Sequence, residues 1–199
     1  MRAIGIVCMA LFVLAAAASS QAGTMASLGI NFTGGGSAVT VDGAPGYICT
    51  NWNNGSGPWM SGSGLKDDAG NGSVSFTWGW GGDNWEGNWG PGIMDGMQKM
   101  HYYSQTASIS NISSLGYPSY DVLIYGNASS GTIGGVAATY VTSGSYKYLI
   151  VTGLTADSVA ITTNEADMAA MQVWRVPEPA TLALMGLGLA SLLVRRKRV

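Results

Sequence analysis

The sequence predicts an all-β protein: a single jelly-roll-like two-sheet β-sandwich, flanked by an N-terminal signal helix and a C-terminal transmembrane helix. Three observations carry this. Residues 23–176 alternate short β-branched and aromatic runs with Gly/Ser/Asn clusters, the pattern of a sandwich or barrel. Glycine supplies 30 of the 199 residues, about twice its ordinary share, and only 10% of residues are charged. Each end carries an uncharged apolar run beside basic residues, set apart from the strand pattern.

Taken in order, strands are expected at 28–33, 37–42, 73–80, 106–112, 120–126, 136–142, 146–152, 157–163 and 168–175. Asp42-Gly43, Asn54-Gly55, Asn71-Gly72 and Ser143-Gly144 offer the positive φ that tight turns need. The clearest strand is 73–80, with Val74, Phe76, Trp78 and Trp80 on one face and Ser73, Ser75, Thr77 and Gly79 on the other. One helix is expected, Ile93 to Tyr103, from Ile93, Met97 and Met100 at i, i+4 and i+7. Trp52, Trp78 and Trp80 are assigned to the core, because a body poor in Leu and Phe needs large side chains to fill it.

Charge excludes several classes. Residues 23–176 hold four basic residues (Lys66, Lys99, Lys147, Arg175) against ten acidic ones, a balance of −6. Nucleic-acid binding needs a basic face, so no nucleic-acid partner is expected. A coiled coil lacks its heptads, and seven Trp with nine Tyr argue against disorder.

The ends read as addresses. Met1-Arg2 precedes an apolar run from Ile4 to Ala18, and Ser20-Gln21-Ala22 offers a signal-peptidase site. Residues 1–22 are therefore a signal peptide cleaved after Ala22, with an uncleaved anchor as the alternative. Cys8 leaves with it, so Cys49 is alone in the mature body and reads as a small buried apolar residue. At the other end Val176-Pro177-Glu178-Pro179 precedes the uncharged run 180–194, and Arg195, Arg196, Lys197 and Arg198 follow. As a helix that run spans about 22 Å, short of the roughly 30 Å hydrocarbon core. Thinning of the bilayer and snorkelling arginines make up the difference. The basic cluster stays cytoplasmic and the body outside.

This order of Pro-Glu-Pro, short apolar span and terminal basic cluster, with Gly186 and Gly188 inside the span, resembles the PEP-CTERM sorting signal over Val176–Val199. The resemblance implies recognition and cutting by an exosortase, a membrane cysteine protease-transpeptidase, and delivery to the cell surface or an extracellular polysaccharide matrix. The domains are then 1–22 signal peptide, 23–175 β-sandwich and 176–199 sorting signal. The body more loosely resembles β-sandwich domains of bacterial surface proteins, through Ile30-Asn31-Phe32, Asn51-Trp52-Asn53-Asn54, Tyr120-Asp121-Val122 and Gly153-Leu154-Thr155-Ala156-Asp157-Ser158. That likeness implies a jelly roll and no defined activity.

The body offers little chemistry. His101 is the only histidine, and no Ser or Cys stands in a nucleophile-elbow context, so no enzyme is expected. Asp83, Glu86 and Asp95 could pair for glycoside hydrolysis, but they read as solvated loop acids. Asp67-Asp68-Ala69-Gly70-Asn71-Gly72 has Ala69 at a ligand position, and Trp78 stands where an EF-hand needs Glu, so it reads as a turn. No cofactor is expected, and a structural calcium held by loop carbonyls is left open. Thr follows no fixed period, so no ice-binding array is expected. Six of the seven Trp fall between Trp52 and Trp89. Trp59, Trp85 and Trp89, beside Asp83, Asn84 and Asn88, form the candidate glycan-binding set, since exposed rings stack on sugars and amides bond hydroxyls. The partners expected are signal peptidase, exosortase, the membrane through the C-terminal span, and exopolysaccharide.

Overall fold

Alternation of apolar with small polar residues sends the chain into strands that stack as two sheets. The computed structural model describes residues 26–32, 39–54, 61–79, 84–87, 93, 97–100, 105–164 and 167–176. In chain order the strands are β1 (Ser27–Asn31), β2 (Trp52–Asn54), β3 (Ser61–Leu65), β4 (Val74–Gly79), β5 (Asn84–Gly87), β6 (Met97–Met100) and β7 (Gln105–Ser110). A 3-10 turn (Ile112–Leu115) leads to β8 (Tyr120–Gly126), β9 (Ser130–Ile133), β10 (Val136–Ala137), β11 (Thr139–Ser143), β12 (Tyr146–Leu154), β13 (Val159–Asn164) and β14 (Asp167–Arg175). The first sheet runs β11-β12-β8-β14-β1-β2, with β6 on the early part of β14 and β5 on β6. The second runs β10-β9-β13-β7-β4-β3. Pairing is antiparallel except between β1 and β2.

Between the sheets lies the main core. Leu28, Ile30, Val122, Ile124, Leu149, Val151, Met171 and Val173 from the first sheet meet Val74, Phe76, Ile109, Ile133, Val159 and Ile161 from the second. Phe32 and Phe76 pack with ring centroids 5.5 Å apart. The first sheet is buried on its other face too. There Leu123, Tyr125, Tyr148, Ile150 and Ala170 lie under Ala44, Cys49, Trp52 and Ile93. This is why every residue of β8 is buried, as a strand covered on both sides must be.

Among the described residues, the outer face of the second sheet is solvated and carries no charge. Register lines up Thr132, Thr162 and Thr106 across β9, β13 and β7, and Ser108, Thr77 and Ser61 across β7, β4 and β3. The hydroxyls of Thr77 and Ser108 hydrogen-bond at 2.7 Å.

Several expectations change. The strand expected at 37–42 does not form over residues 39–42: Asp42 makes only an isolated bridge to Cys49. The side chain of Asn54 takes the place of a strand partner, accepting from the Val39 amide (2.9 Å) and donating to its carbonyl (2.8 Å). The helix expected over 93–103 is replaced at Met97–Met100 by β6, whose backbone pairs with β5 and β14. A sheet partner outweighs a three-residue helical period broken by Gly96. The run 136–142 splits at Ala138, with β10 in the second sheet and β11 in the first. The run 106–112 ends as β7 at Ser110 before the 3-10 turn. The short strands β2, β3, β5, β6 and β9 were not expected, being rich in Asn, Gly, Ser or Met and held by pairing. The expected signal helix and C-terminal span lie outside the described residues.

Other expectations hold. Gly144 opens the two-residue β11–β12 connection at φ 60. Cys49 and Trp52 are buried, at 0% and 3% exposure. Trp78 lies on β4, and Trp80 falls outside the described residues. Trp52 covers β1 where it has no side chain: a Cβ on Gly29 would stand 2.5 Å from the Trp52 ring and 3.0 Å from the Cys49 sulfur. Gly29→Ala should therefore destabilise the body by about 1–3 kcal/mol through overpacking, and Trp52→Ala by about 3–5 kcal/mol through the cavity it leaves. Denaturant midpoints measure both, and a Gly29→Ala midpoint equal to the parent's would refute the contact.

Candidate functional site

Register brings the two termini of the body to one end of the first sheet. Ser27, the first residue of β1, pairs with Trp174, and Tyr120, the first residue of β8, pairs with both Arg175 and Leu154. There the Arg175 amide donates to the Ala26 carbonyl (3.3 Å), and the Val176 amide donates to the Ser119 carbonyl (3.0 Å). These bonds reach β14 from its two sides.

Around this exit point, carboxylates hold loops. Asp67 is fully buried; its Oδ1 accepts from the Ala69 and Asn71 amides (3.0 and 2.7 Å) and its Oδ2 from the Tyr117 hydroxyl (2.9 Å). Asp68 accepts from the Ser27 amide (3.0 Å) and the Thr50 hydroxyl (3.2 Å). Asp121 accepts from the Gly153 amide at 2.9 Å, and Asp157 accepts from the Ser113 amide at 2.8 Å. The Tyr120 hydroxyl donates to the Ala156 carbonyl. Thus Tyr120-Asp121 clamps Gly153–Asp157, two of the segments that carried the sandwich likeness. The other two pair likewise: Asn31 Nδ2 donates to Asn54 Oδ1 (2.9 Å), and Asn53 Nδ2 donates to the Gly29 carbonyl (2.9 Å).

The electrostatics follow. Burial, aided by the charge of Asp157, pushes the Tyr120 phenol up to about 12. Burial also raises Tyr117, with Asp67 beside it. Asp121 is held above the usual carboxylate range by burial, against the hydrogen bonds from Gly153 and Tyr47. The exposed Asp157 lies below that range because Ser113 donates to it. Burial raises the Cys49 thiol, as for a packed apolar side chain. Among the described residues no three His, Cys, Asp or Glu are grouped to hold a metal. The 67–72 segment is a turn whose Asp67 oxygens take protein donors.

A layer of aromatic rings, which sequence reasoning missed, covers the outer face of the first sheet beside this end. Tyr47 packs edge-on against Trp174 (5.5 Å) and Tyr148 (6.4 Å), and Tyr125 against Trp52 (6.1 Å) and Tyr146 (6.2 Å). Three of these hydroxyls have partners: Tyr146 donates to Asp42, Tyr125 to Gln172 (2.8 Å) and Tyr47 to Asp121 (3.4 Å). The signal was there as alternation, Tyr146-x-Tyr148 and Gln172-x-Trp174.

The opposite end holds the expected glycan segment. There β5, with Asn84, Trp85 and Glu86, pairs with β6, which pairs with Asp167 and Met168 at the start of β14. Eight residue steps along β14, about 26 Å, separate that start from Arg175. Trp59, Asp83, Asn88, Trp89, Asp95 and His101 lie outside the described residues, as do Pro177, Glu178, Pro179 and Arg195–Arg198. Val176 is within them.

Two predictions test the clamps. Asp67→Ala should cost about 3 kcal/mol, because it removes the shared acceptor of three hydrogen bonds worth about 1 kcal/mol each, and Tyr117→Phe about 1 kcal/mol, both read from denaturant midpoints. Ionising Asp121 opposes folding because its folded pKa is raised. Its contribution therefore improves as pH falls through the folded value. Asp121→Asn should flatten that part of the stability–pH curve, and an unchanged curve would rule the assignment out.

Comparison with curated proteins and with solved structures gives no match. A family model does match residues 175–198, that of the PEP-CTERM protein-sorting motif. The matched stretch begins at Arg175, the last residue of β14. It names an exosortase as the processing partner and implies export with membrane anchoring before processing. This chain therefore carries a PEP-CTERM sorting motif directly behind a two-sheet β-sandwich body.

Proposed function

We propose that this is a cell-surface or extracellular-matrix protein with a structural or adhesive, non-enzymatic role, delivered by signal peptidase and exosortase. Residues 1–22 are the signal peptide, 23–175 a jelly-roll body, and 180–194 the transmembrane span that precedes the basic tail. The observation that carries this reading is the overlap of the sorting match with the end of β14. The body is thereby tethered by one end until the chain is cut. The uncharged Ser/Thr face of the second sheet supports an adhesive role, offering hydroxyls to a neutral polymer with no charge to desolvate.

A second reading makes the body a carbohydrate-binding module that uses Trp59, Trp85 and Trp89 with Asp83, Asn84 and Asn88. It is favoured by the position of β5, which bears Trp85 and Asn84 at the end of β14 remote from the anchor. No cofactor is needed for either role, and a chelator should leave the melting temperature of the body unchanged.

The test is retention of purified residues 23–176 on a panel of insoluble polysaccharides, including the producing cell's own matrix. Retention competed away by free oligosaccharide, and reduced at least tenfold in a folded Trp85→Ala/Trp89→Ala variant, establishes the module; tenfold corresponds to about 1.4 kcal/mol, within the range of one stacked ring. Retention that survives the double substitution assigns adhesion to another face. A folded body that no polysaccharide retains leaves the structural role.

A further inference from the structure

We infer that β14 latches the sorting site shut: the folded body withholds the residues next to the motif from the exosortase, and cutting requires the end of β14 to leave the sheet. This rests on the sorting reading above. The sorting match opens at Arg175, inside the fold. Arg175 is paired with Tyr120 of β8, and its amide donates to Ala26 beside β1 (3.3 Å). The amide of Val176, the residue before Pro177, donates to Ser119 beside β8 (3.0 Å). No spacer separates the last bonded residue from Pro177-Glu178-Pro179.

Peptidases take their substrates as extended segments of several residues that pair their own backbone with the enzyme. On the body side of any bond cut near Pro177–Pro179, those residues are Trp174, Arg175 and Val176. Trp174 is paired on both sides, with Ser27 and Asp121, and the Arg175 and Val176 amides are already engaged. At an edge strand, peeling would break bonds along one side. Here β14 lies between β8 and β1, so both sides must open. Cleavage of a folded substrate then follows the small population in which that end has frayed. In the cut itself one peptide bond breaks. The body keeps the acyl half, which passes to water or to an acceptor amine, and the span leaves with the new amino terminus.

Two insertions in the full-length chain test this, in membranes that hold an active exosortase. One places a six-residue Gly/Ser linker between Val176 and Pro177, which separates the motif in sequence from the end of β14. The other places the same linker between Pro179 and Ala180, which adds the same length before the span and leaves the motif immediately after Val176 in sequence. The readout is the rate at which the full-length band loses its C-terminal span, with Pro177→Ala as the uncut reference. The latch predicts that the first linker speeds processing about tenfold, the scale of two backbone hydrogen bonds, and that the second does not. An unchanged or slower rate with the first linker overturns the latch, as does equal acceleration by both. A parent chain that keeps its span where another substrate with this motif is cut overturns the sorting reading itself, and the latch with it. Amide exchange at Arg175 and Val176 that is as slow in the first insertion as in the parent shows that the linker acts by adding free chain before the motif and not by loosening β14.

Discussion

The fold hangs on the burial of β14. It pairs with β8 along nearly its whole length and with β1 through five residues. One of its faces, with Met171 and Val173, fills the space between the sheets; the other, with Ala170 and Gln172, lies under the loop that carries Tyr47 and Cys49. A strand in that position must be apolar on both faces, apart from groups that find partners. Gln172 meets that condition, accepting from Tyr125 at 2.8 Å and donating to the Tyr47 carbonyl at 3.0 Å.

Covering the outer face of the first sheet decides how the aromatic residues are used. The chain has only three Phe, against nine Tyr and seven Trp. Tyr and Trp bury large areas but bring a polar tip that needs a partner. The carboxylates of Asp42 and Asp121 and the amide of Gln172 provide those partners. Trp52 packs directly on β1 because Gly29 leaves the strand bare beneath it. Asp42 does more than accept from Tyr146: its other oxygen accepts from the Ile93 amide at 2.7 Å, tying a distant segment onto the same layer. Asp42, which the sequence offers only as a turn residue, thus serves as a fixed acceptor.

How much of this was legible depends on where the information sits. The expected strands at 120–126, 146–152 and 168–175 form because their alternation is local and strong, as in Val122 and Ile124 against Leu123 and Tyr125. β2 and β5 were not legible, since Trp-Asn-Asn and Asn-Trp-Glu-Gly have no strand signature and pair only because a neighbour offers its edge. The row Thr132, Thr162, Thr106 was invisible because its members are separated irregularly in sequence and meet only by register. The sorting motif was fully legible, being a linear signal. Its contact with the fold was not, because the carbonyl of Ala26 that receives Arg175 stands at the far end of the body.

That last contact orders events in export. β1 is among the first segments of the body to emerge, and its long partner β14 is the last, so β1 pairs fully only after some 140 residues have followed it. Until β14 arrives, β1 and β8 each present an open edge, and the apolar faces on both sides of the gap are exposed. Closing so long a loop is the slow, entropically opposed step in assembling a sheet. The segment that arrives immediately behind β14 is the sorting signal. A chain whose signal has just reached the membrane is therefore a chain whose sandwich has just become able to close. On the proposed latch, closure and cutting draw on the same few backbone groups at Trp174–Val176, so folding and processing compete at one end of one strand.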